Sequence, residues 1–242
     1  MIVKNKKIFK EKIFIHGFSN FMIFGMLITL LLLTFSNNFQ SVFNSNNINA
    51  IYYGNRNSNK VCLMINVYWG TEYISEMLEV FDAYDVTTTF FIGGSWAENE
   101  PEKLAEIFNS GHEIGNHGYF HRDHDKLSYN QNEEEIKACH TIIKTNINVA
   151  MTLFAPPSGA YNKTTLTVAN SLGYTTIMWS KDTIDWRDKD SDLVFSRATK
   201  NIAGGDLVLM HPTQHTLKAL PQILDYYKGN NIVATTVTNV IS

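Results

Sequence analysis

The sequence predicts an α/β domain built on a parallel sheet. That sheet should curl into a distorted, incomplete (β/α) barrel of about seven strands, preceded by one N-terminal transmembrane helix. Three observations carry this expectation. From residue 51 onward, short and nearly continuous apolar runs alternate with amphipathic helical segments, and regular β–α alternation gives parallel strands. Six or seven such units share about 190 residues, whereas a full eightfold barrel usually needs about 250 residues. A doubly wound open sheet is the alternative. The third observation is an uncharged stretch, FMIFGMLITLLLLTF, from Phe21 to Phe35.

Extended back to Phe18, that stretch is long enough for a helix of about 27 Å, close to a hydrocarbon core of roughly 30 Å. Lys4, Lys6, Lys7, Lys10 and Lys12 precede it, against Glu11 alone. The first 20 residues therefore carry +4 of a total charge of −3, and the remainder carries −7. A basic flank keeps the N-terminus cytoplasmic and places the rest of the chain outside. The expected layout is a basic segment over 1–17, a span over 18–35, an Asn/Ser-rich tether over 36–50 and a folded unit over 51–242. A cleaved signal peptide is the alternative, but SNNFQS offers no small-x-small cleavage site. The expected location is the cell membrane, single pass, with the domain extracellular.

Each element has a local reason. Lys60 to Val67 is an apolar run, as a strand covered on both faces requires. Thr71 is placed to cap a helix whose Ile74, Met77, Leu78 and Phe81 share one face. Thr87 to Ile92 is β-branched and aromatic, hence strand. Asn99 and Pro101 open a helix that stops before Gly111. His112 to Asn116 is the next strand, and Ser128 begins a helix through Ile136, Cys139 and Ile143. Thr152 to Phe154 is strand, Lys163 to Leu172 helix, and Tyr174 to Trp179 strand. Asp190 caps a helix that ends at Gly204-Gly205. Asp206 to His211 is strand, Thr216 to Tyr227 a helix interrupted by Pro221, and Ile232 to Val237 the last strand.

Several function classes fall away early. The acidic balance removes a nucleic-acid binder built on bulk charge. No G-x-G-x-x-G or G-x-x-x-x-G-K follows a strand, so no nucleotide cofactor is expected. Two cysteines, Cys62 and Cys139, make neither a disulfide framework nor a Cys-rich zinc site.

Polar residues instead collect where strands end: Asn66, Tyr68 and Trp69; then Asn116, His117 and His121; then Ala155-Pro156-Pro157-Ser158-Gly159; then Asp182, Asp185 and Trp186; then His211. In a parallel barrel these ends meet on one face, where barrel active sites lie. His117 and His121 are spaced i and i+4, as on one side of a helical turn, a workable metal pair. A third protein ligand is usual at catalytic zinc. Asp123, His124 and Asp125 follow closely, but the HRDHD run reads more simply as a polar loop. His211 suits a general acid, with Asp185 fixing its tautomer. Trp69 and Trp186 would make flat apolar walls of the kind a sugar ring needs, or simply pack in the core.

In these segments the chain resembles the polysaccharide deacetylase family (carbohydrate esterase family 4, the NodB homology domain), over about Lys60 to Val240. His117-Gly-Tyr-Phe-His121, Ala155-Pro156-Pro157-Ser158-Gly159, Asp182-Thr-Ile-Asp185-Trp186 and Leu207-Val-Leu-Met-His211 are similar to four of its motifs, in order. The GHEIGNHGYFH and WSKDTIDW stretches look closest to the branch found in spore-forming bacteria. The resemblance implies a divalent metal, zinc first, at His117 and His121. It implies His211, oriented by Asp185, as the catalytic acid, and Tyr68, Trp69, Pro157, Trp186 and Leu209 as substrate contacts.

It further implies that an N-acetylated, peptidoglycan-like glycan of cell wall or spore cortex is the substrate. The first motif departs from the family. There the family has Thr-Phe-Asp-Asp-Gly, whose first Asp is the general base and whose second is a metal ligand; here Met64-Ile65-Asn66-Val67-Tyr68 stands in its place. The Arg that orients the base is replaced by Ala155. Metal binding is therefore expected to be weak and catalysis weakened. A non-catalytic glycan-binding protein on the same fold is the alternative. Rebuilding Asp at 66 and 67 with Arg at 155 is expected to restore chemistry only in combination.

Overall fold

The computed structural model describes residues 48–242, together with Met22, Phe24, Gly25, Met26, Ile28 and Thr29, which are helical. Among the described residues no helix is long and apolar enough to cross a membrane. Apart from those six residues, the expected span over 18–35 lies outside the described residues. So do the basic segment before it and the tether up to residue 47.

Eight short strands run in chain order: β1 (Lys60–Val67), β2 (Thr89–Ile92), β3 (Glu113–Asn116), β4 (Leu153–Phe154), β5 (Thr175–Thr176), β6 (Lys181–Asp182), β7 (Leu207–Met210) and β8 (Val233–Ala234). Seven of them pair in the order β5-β4-β3-β2-β1-β7-β6, all parallel. Followed around, that order is cyclic, so the sheet is a barrel left open between β5 and β6 rather than a doubly wound sheet. The segment after residue 50 reaches both sides of the opening. Ile51 N–H donates to Thr176 O at 2.9 Å, and Gly54 N–H donates to Gly205 O at 2.7 Å. β8 pairs only with the start of β1, Lys60 against Val233.

Nine helices cover the described part of the fold: α1 (Thr71–Ala83), α2 (Gly94–Asn99), α3 (Pro101–Asn109), α4 (Tyr129–Ile147), α5 (Lys163–Ser171), α6 (Asp185–Asp188), α7 (Ser191–Thr199), α8 (Gln214–Gly229) and α9 (Val237–Ile241). Ser128 caps α4 in a capping box with Gln131, and Asp190 caps α7 by accepting from Asp192 N–H and Leu193 N–H.

Several local expectations need correcting. Thr71 is inside α1, whose N-cap is Gly70 in the left-handed region; its hydroxyl instead accepts from Trp96 Nε1 at 2.9 Å. Residues 94–99 form the helix α2 where none was expected, so Asn99 ends a helix and Glu100 is the N-cap of α3. Pro221 lies inside α8 without breaking it. The expected strand over 174–179 is two residues long, and Lys181–Asp182 forms a separate strand against β7. The chain ends in a short helix after β8 rather than in a longer strand.

Strand alternation divides the core in two. Along β1, Val61, Leu63, Ile65 and Val67 face the helices with Ile74, Phe81 and Phe90. Cys62 and Met64 face inward with Phe91, Leu153, Ala155, Ile177 and Leu207. Both cysteines are free and buried; burial pushes the Cys62 thiol up to about 11 and the Cys139 thiol up to about 12. The inward series continues upward with Asn66 on β1, and with Leu209 and His211 beyond Leu207. The candidate site is therefore the open top layer of the barrel interior.

Candidate active site

A cleft of about 520 Å³ sits at the C-terminal ends of the strands. It is lined by Asn66, Tyr68, Trp69, His117, His121, Ser158, Trp179, Asp182, Trp186, Leu209 and His211. Of the residues expected as catalytic, metal or substrate contacts, all but Asp185 and Pro157 line it; Asn116, also expected on this face, is fully buried with its amide on Ile136 O.

Asp185 stands behind the wall and holds His211. His211 Nδ1–H donates to Asp185 Oδ1 at 2.8 Å, and His211 N–H donates to Oδ2 at 2.7 Å. The Thr216 hydroxyl donates to Oδ2 at 2.5 Å, and Trp186 N–H donates to Oδ1 at 2.9 Å. Burial opposes the charge on Asp185, but the bonds from His211 and Thr216 outweigh it and hold the carboxyl below its usual range. With Nδ1 committed, His211 offers Nε2 to the cleft. Trp69 stacks on the same ring, with centroids 5.8 Å apart and planes 8° from parallel.

His117 Nδ1–H donates to Ala155 O at 2.7 Å, which leaves the Nε2 lone pair unprotonated. Its ring and that of His121 are 5.1 Å apart. Burial, then the neighbouring His121, pushes His117 well below the usual histidine value; burial lowers His121 too. Both imidazoles are thus neutral donors at pH 7. They are not on a helical turn, contrary to expectation. Residues 117–123 form an irregular loop in which Gly118 (φ 70°) and His121 (φ 56°) both take left-handed backbone. That reversal, not an i/i+4 helix spacing, brings the two rings together. Tyr68 packs against His121 with centroids 4.7 Å apart.

Asn66 is 4% exposed, and no protein group pairs with its Oδ1. Val67 is fully buried among the helix-facing residues and takes no part in the cleft. Ala155 is likewise fully buried, in the inner layer. Trp69 and Trp186 are 43% and 52% exposed, so neither is a core residue. Pro157 is buried beneath the loop: a Cβ added to Gly118 would lie 3.3 Å from Pro157 Cγ. Ser158 reaches the cleft in its place. Trp179 lines the cleft unforeseen, because an aromatic after a short strand reads as core.

Among the described residues no three His, Cys, Asp or Glu side chains converge on a metal position. His124 is not part of a polar surface loop; it is buried with Nδ1 against Asn132 Oδ1 at 2.7 Å. Asp123 pairs with Lys126 at the surface. The two neutral imidazoles and Asn66, whose amide oxygen is unpaired, line the same cleft. That donor set fits a divalent cation of borderline softness such as zinc.

A family model described as polysaccharide deacetylase matches residues 53–177. The Bacillus subtilis protein YlxY is 36% identical over 79% of this chain and 60% of its own length. A peptidoglycan-N-acetylglucosamine deacetylase of Bacillus cereus is 28% identical over 65% of this chain and 59% of its own. The chain thus spans about three fifths of the length of these curated relatives. Among solved structures, a CE4 family pseudoenzyme from Bacillus anthracis superposes with a TM-score of 0.78 at 33% identity. It covers 80% of this chain and 69% of that one. A mutant of that pseudoenzyme, described as having restored enzymatic activity, superposes equally well, at 31% identity over 80% of this chain and 71% of its own.

Proposed function

The chain belongs to the polysaccharide deacetylase family, and on that premise we propose that its cleft binds an N-acetylated, peptidoglycan-like glycan and hydrolyses its amide slowly. The observation that carries this is the Asp185–His211 pair facing the His117–His121 pair across one aromatic-walled cleft. His117, His121 and the oxygen of Asn66 would hold a divalent cation. When bound, such a cation polarises an amide carbonyl and offsets charge developing on its oxygen.

The chain's own residues supply the rest. Asp185 accepts from His211 Nδ1, so the proton given to a leaving amine comes from Nε2. Asn66 can orient a water by hydrogen bonding but cannot accept its proton at neutral pH. That omission withholds the ~10²–10⁴-fold that general base catalysis contributes. Trp69 and Trp186 present flat faces to the sugar and screen the cleft from water. Leu209 floors it, and Tyr68 buttresses His121.

The unpaired amide of Asn66 also supports a second reading, a glycan-binding protein without turnover. The N-terminal residues 18–35 are proposed to anchor the domain at the outer face of the cell membrane.

Zinc binding tests the cation site directly. Calorimetry on the domain is expected to show one zinc per chain, bound more weakly than structural zinc. The His121→Ala variant is expected to lose the heat. Equal, negligible heats from both proteins would remove the cation from the proposal.

A further inference from the structure

We propose that Glu135, on α4, is the positioning residue for the imidazole pair: its buried carboxylate fixes the loop backbone that carries His121. This rests on the reading that His117 and His121 hold a cation.

The loop between His117 and Asp123 has no regular secondary structure, so its peptide groups must find partners elsewhere. Its first end is held by the end of β2, through His117 N–H to Ile92 O at 3.0 Å. Gly118 N–H donates to Asn116 Oδ1 at 2.9 Å. The next two amides, Tyr119 N–H and Phe120 N–H, both donate to one oxygen, Glu135 Oε2, at 2.9 Å and 2.8 Å. On the carbonyl side, Gly118 O and Tyr119 O accept from Gly94 N–H and Ser95 N–H of α2 at 2.8 Å and 3.0 Å.

The carboxylate that gathers the two amides is itself 4% exposed. The cation nearest it, Arg122 Nε, stands 3.7 Å from Oε1 on a half-exposed side chain. A buried charge this sparsely paired is costly unless its hydrogen bonds are needed. Here they pin the amides of the two residues immediately before His121, whose left-handed backbone a non-glycine residue adopts only under constraint. Freed of Glu135, the 119–121 backbone can relax to an unstrained conformation. The His121 ring would then leave its place 5.1 Å from His117. Glu135 touches neither imidazole in the hydrogen-bond network; it acts through the backbone.

The experiment compares Glu135→Met, of similar volume but with no acceptor, with Glu135→Gln, which keeps one carbonyl oxygen for both amides. Zinc affinity is measured by calorimetry. Amide exchange at Tyr119 and Phe120 and the His121 ring shifts are measured by NMR without metal. In E135M, zinc affinity is expected to fall by about 10–100-fold, as for partners that orient a metal ligand. Exchange at the two amides should quicken and the His121 signals should move. E135Q should stay within a few-fold of wild type on every readout. Should E135M not fold, Glu135→Asp, which withdraws the carboxylate by one methylene, carries the same expectation as E135M.

Wild-type zinc affinity and amide protection persisting in a folded E135M or E135D would overturn the proposal. If wild type itself binds no zinc, the cation reading fails. Glu135 is then judged by exchange and His121 shifts alone: movement in E135M with recovery in E135Q supports it, and no movement overturns it.

Discussion

With zinc supplied, Asn66→Asp is expected to raise acetate release from N-acetylated glycan by at least about tenfold over wild type, toward the low end of what a general base contributes. The exchange is isosteric, and Asn66 Oδ1 has no protein partner to lose. The new carboxylate would occupy the top of the inner layer, in the cleft that His117, His121 and His211 also line. It would accept the proton that an amide cannot, and add an anionic donor to two neutral ones.

The full ~10²–10⁴-fold is not expected, because the buried Ala155 provides nothing to orient the base. Combining all three exchanges is not the favourable route. Val67 points away from the cleft into the helix-facing core, so Asp there is a buried charge with no partner. An Arg at 155 must enter a closed layer beside Met64, Phe91 and Ile177. The triple variant is expected to unfold at lower urea than Asn66→Asp alone. Two results would count against this. An Asn66→Asp protein that binds zinc and stays inert favours the glycan-binding reading. A wild type already as fast leaves Asp182, the one carboxylate among the residues lining the cleft, as the base.

Asp185→Ala is expected to destabilise the domain by about 3–5 kcal/mol, the range for stripping one partner from a buried pair. Four donors lose their acceptor at once: the His211 amide and ring, the Thr216 hydroxyl and the Trp186 amide. Against a typical domain stability of about 5–15 kcal/mol, that leaves a marginal fold. The effect carries a pH signature. Because the folded carboxyl sits below its ordinary value of 3.8, its contribution is present above that value and is lost as pH falls through the lower, folded value. Wild type and variant should therefore differ fully at pH 7 and converge in strong acid.

Asp185→Asn separates structure from chemistry. Its amide oxygen can still accept from the His211 amide and Thr216, while its NH₂ faces the ring, turns the tautomer and leaves the Trp186 amide without an acceptor. In an Asn66→Asp background it should keep the fold and remove the gain in rate. Urea unfolding across pH, with acetate release, checks both. A loss under about 1 kcal/mol at pH 7 would mean that the network is not what holds His211.

How much of this is legible in the sequence differs from residue to residue. The alternation of apolar runs and helices points to the parallel barrel, because burial on both faces leaves a continuous apolar signature in each strand. Ser128 and Asp190 are legible as caps, since capping chemistry is local. His117, His121, Asp185 and His211 stand out because polar side chains at strand ends must meet on one face.

The direction of a side chain at the last residue of a strand is not legible, and neither is loop backbone. That is why the resemblance puts Pro157 rather than Ser158 or Trp179 among the substrate contacts, and why a left-handed His121 passes for a helical spacing. Glu135 does leave a trace, a carboxylate in the buried stripe of α4 with Asn132, Ile136, Cys139 and Ile143. A sequence shows that such a charge is misplaced for simple packing. Only the folded backbone shows the two amides that it satisfies, because hydrogen-bond partners 15 and 16 residues apart are set by tertiary geometry and not by any local period.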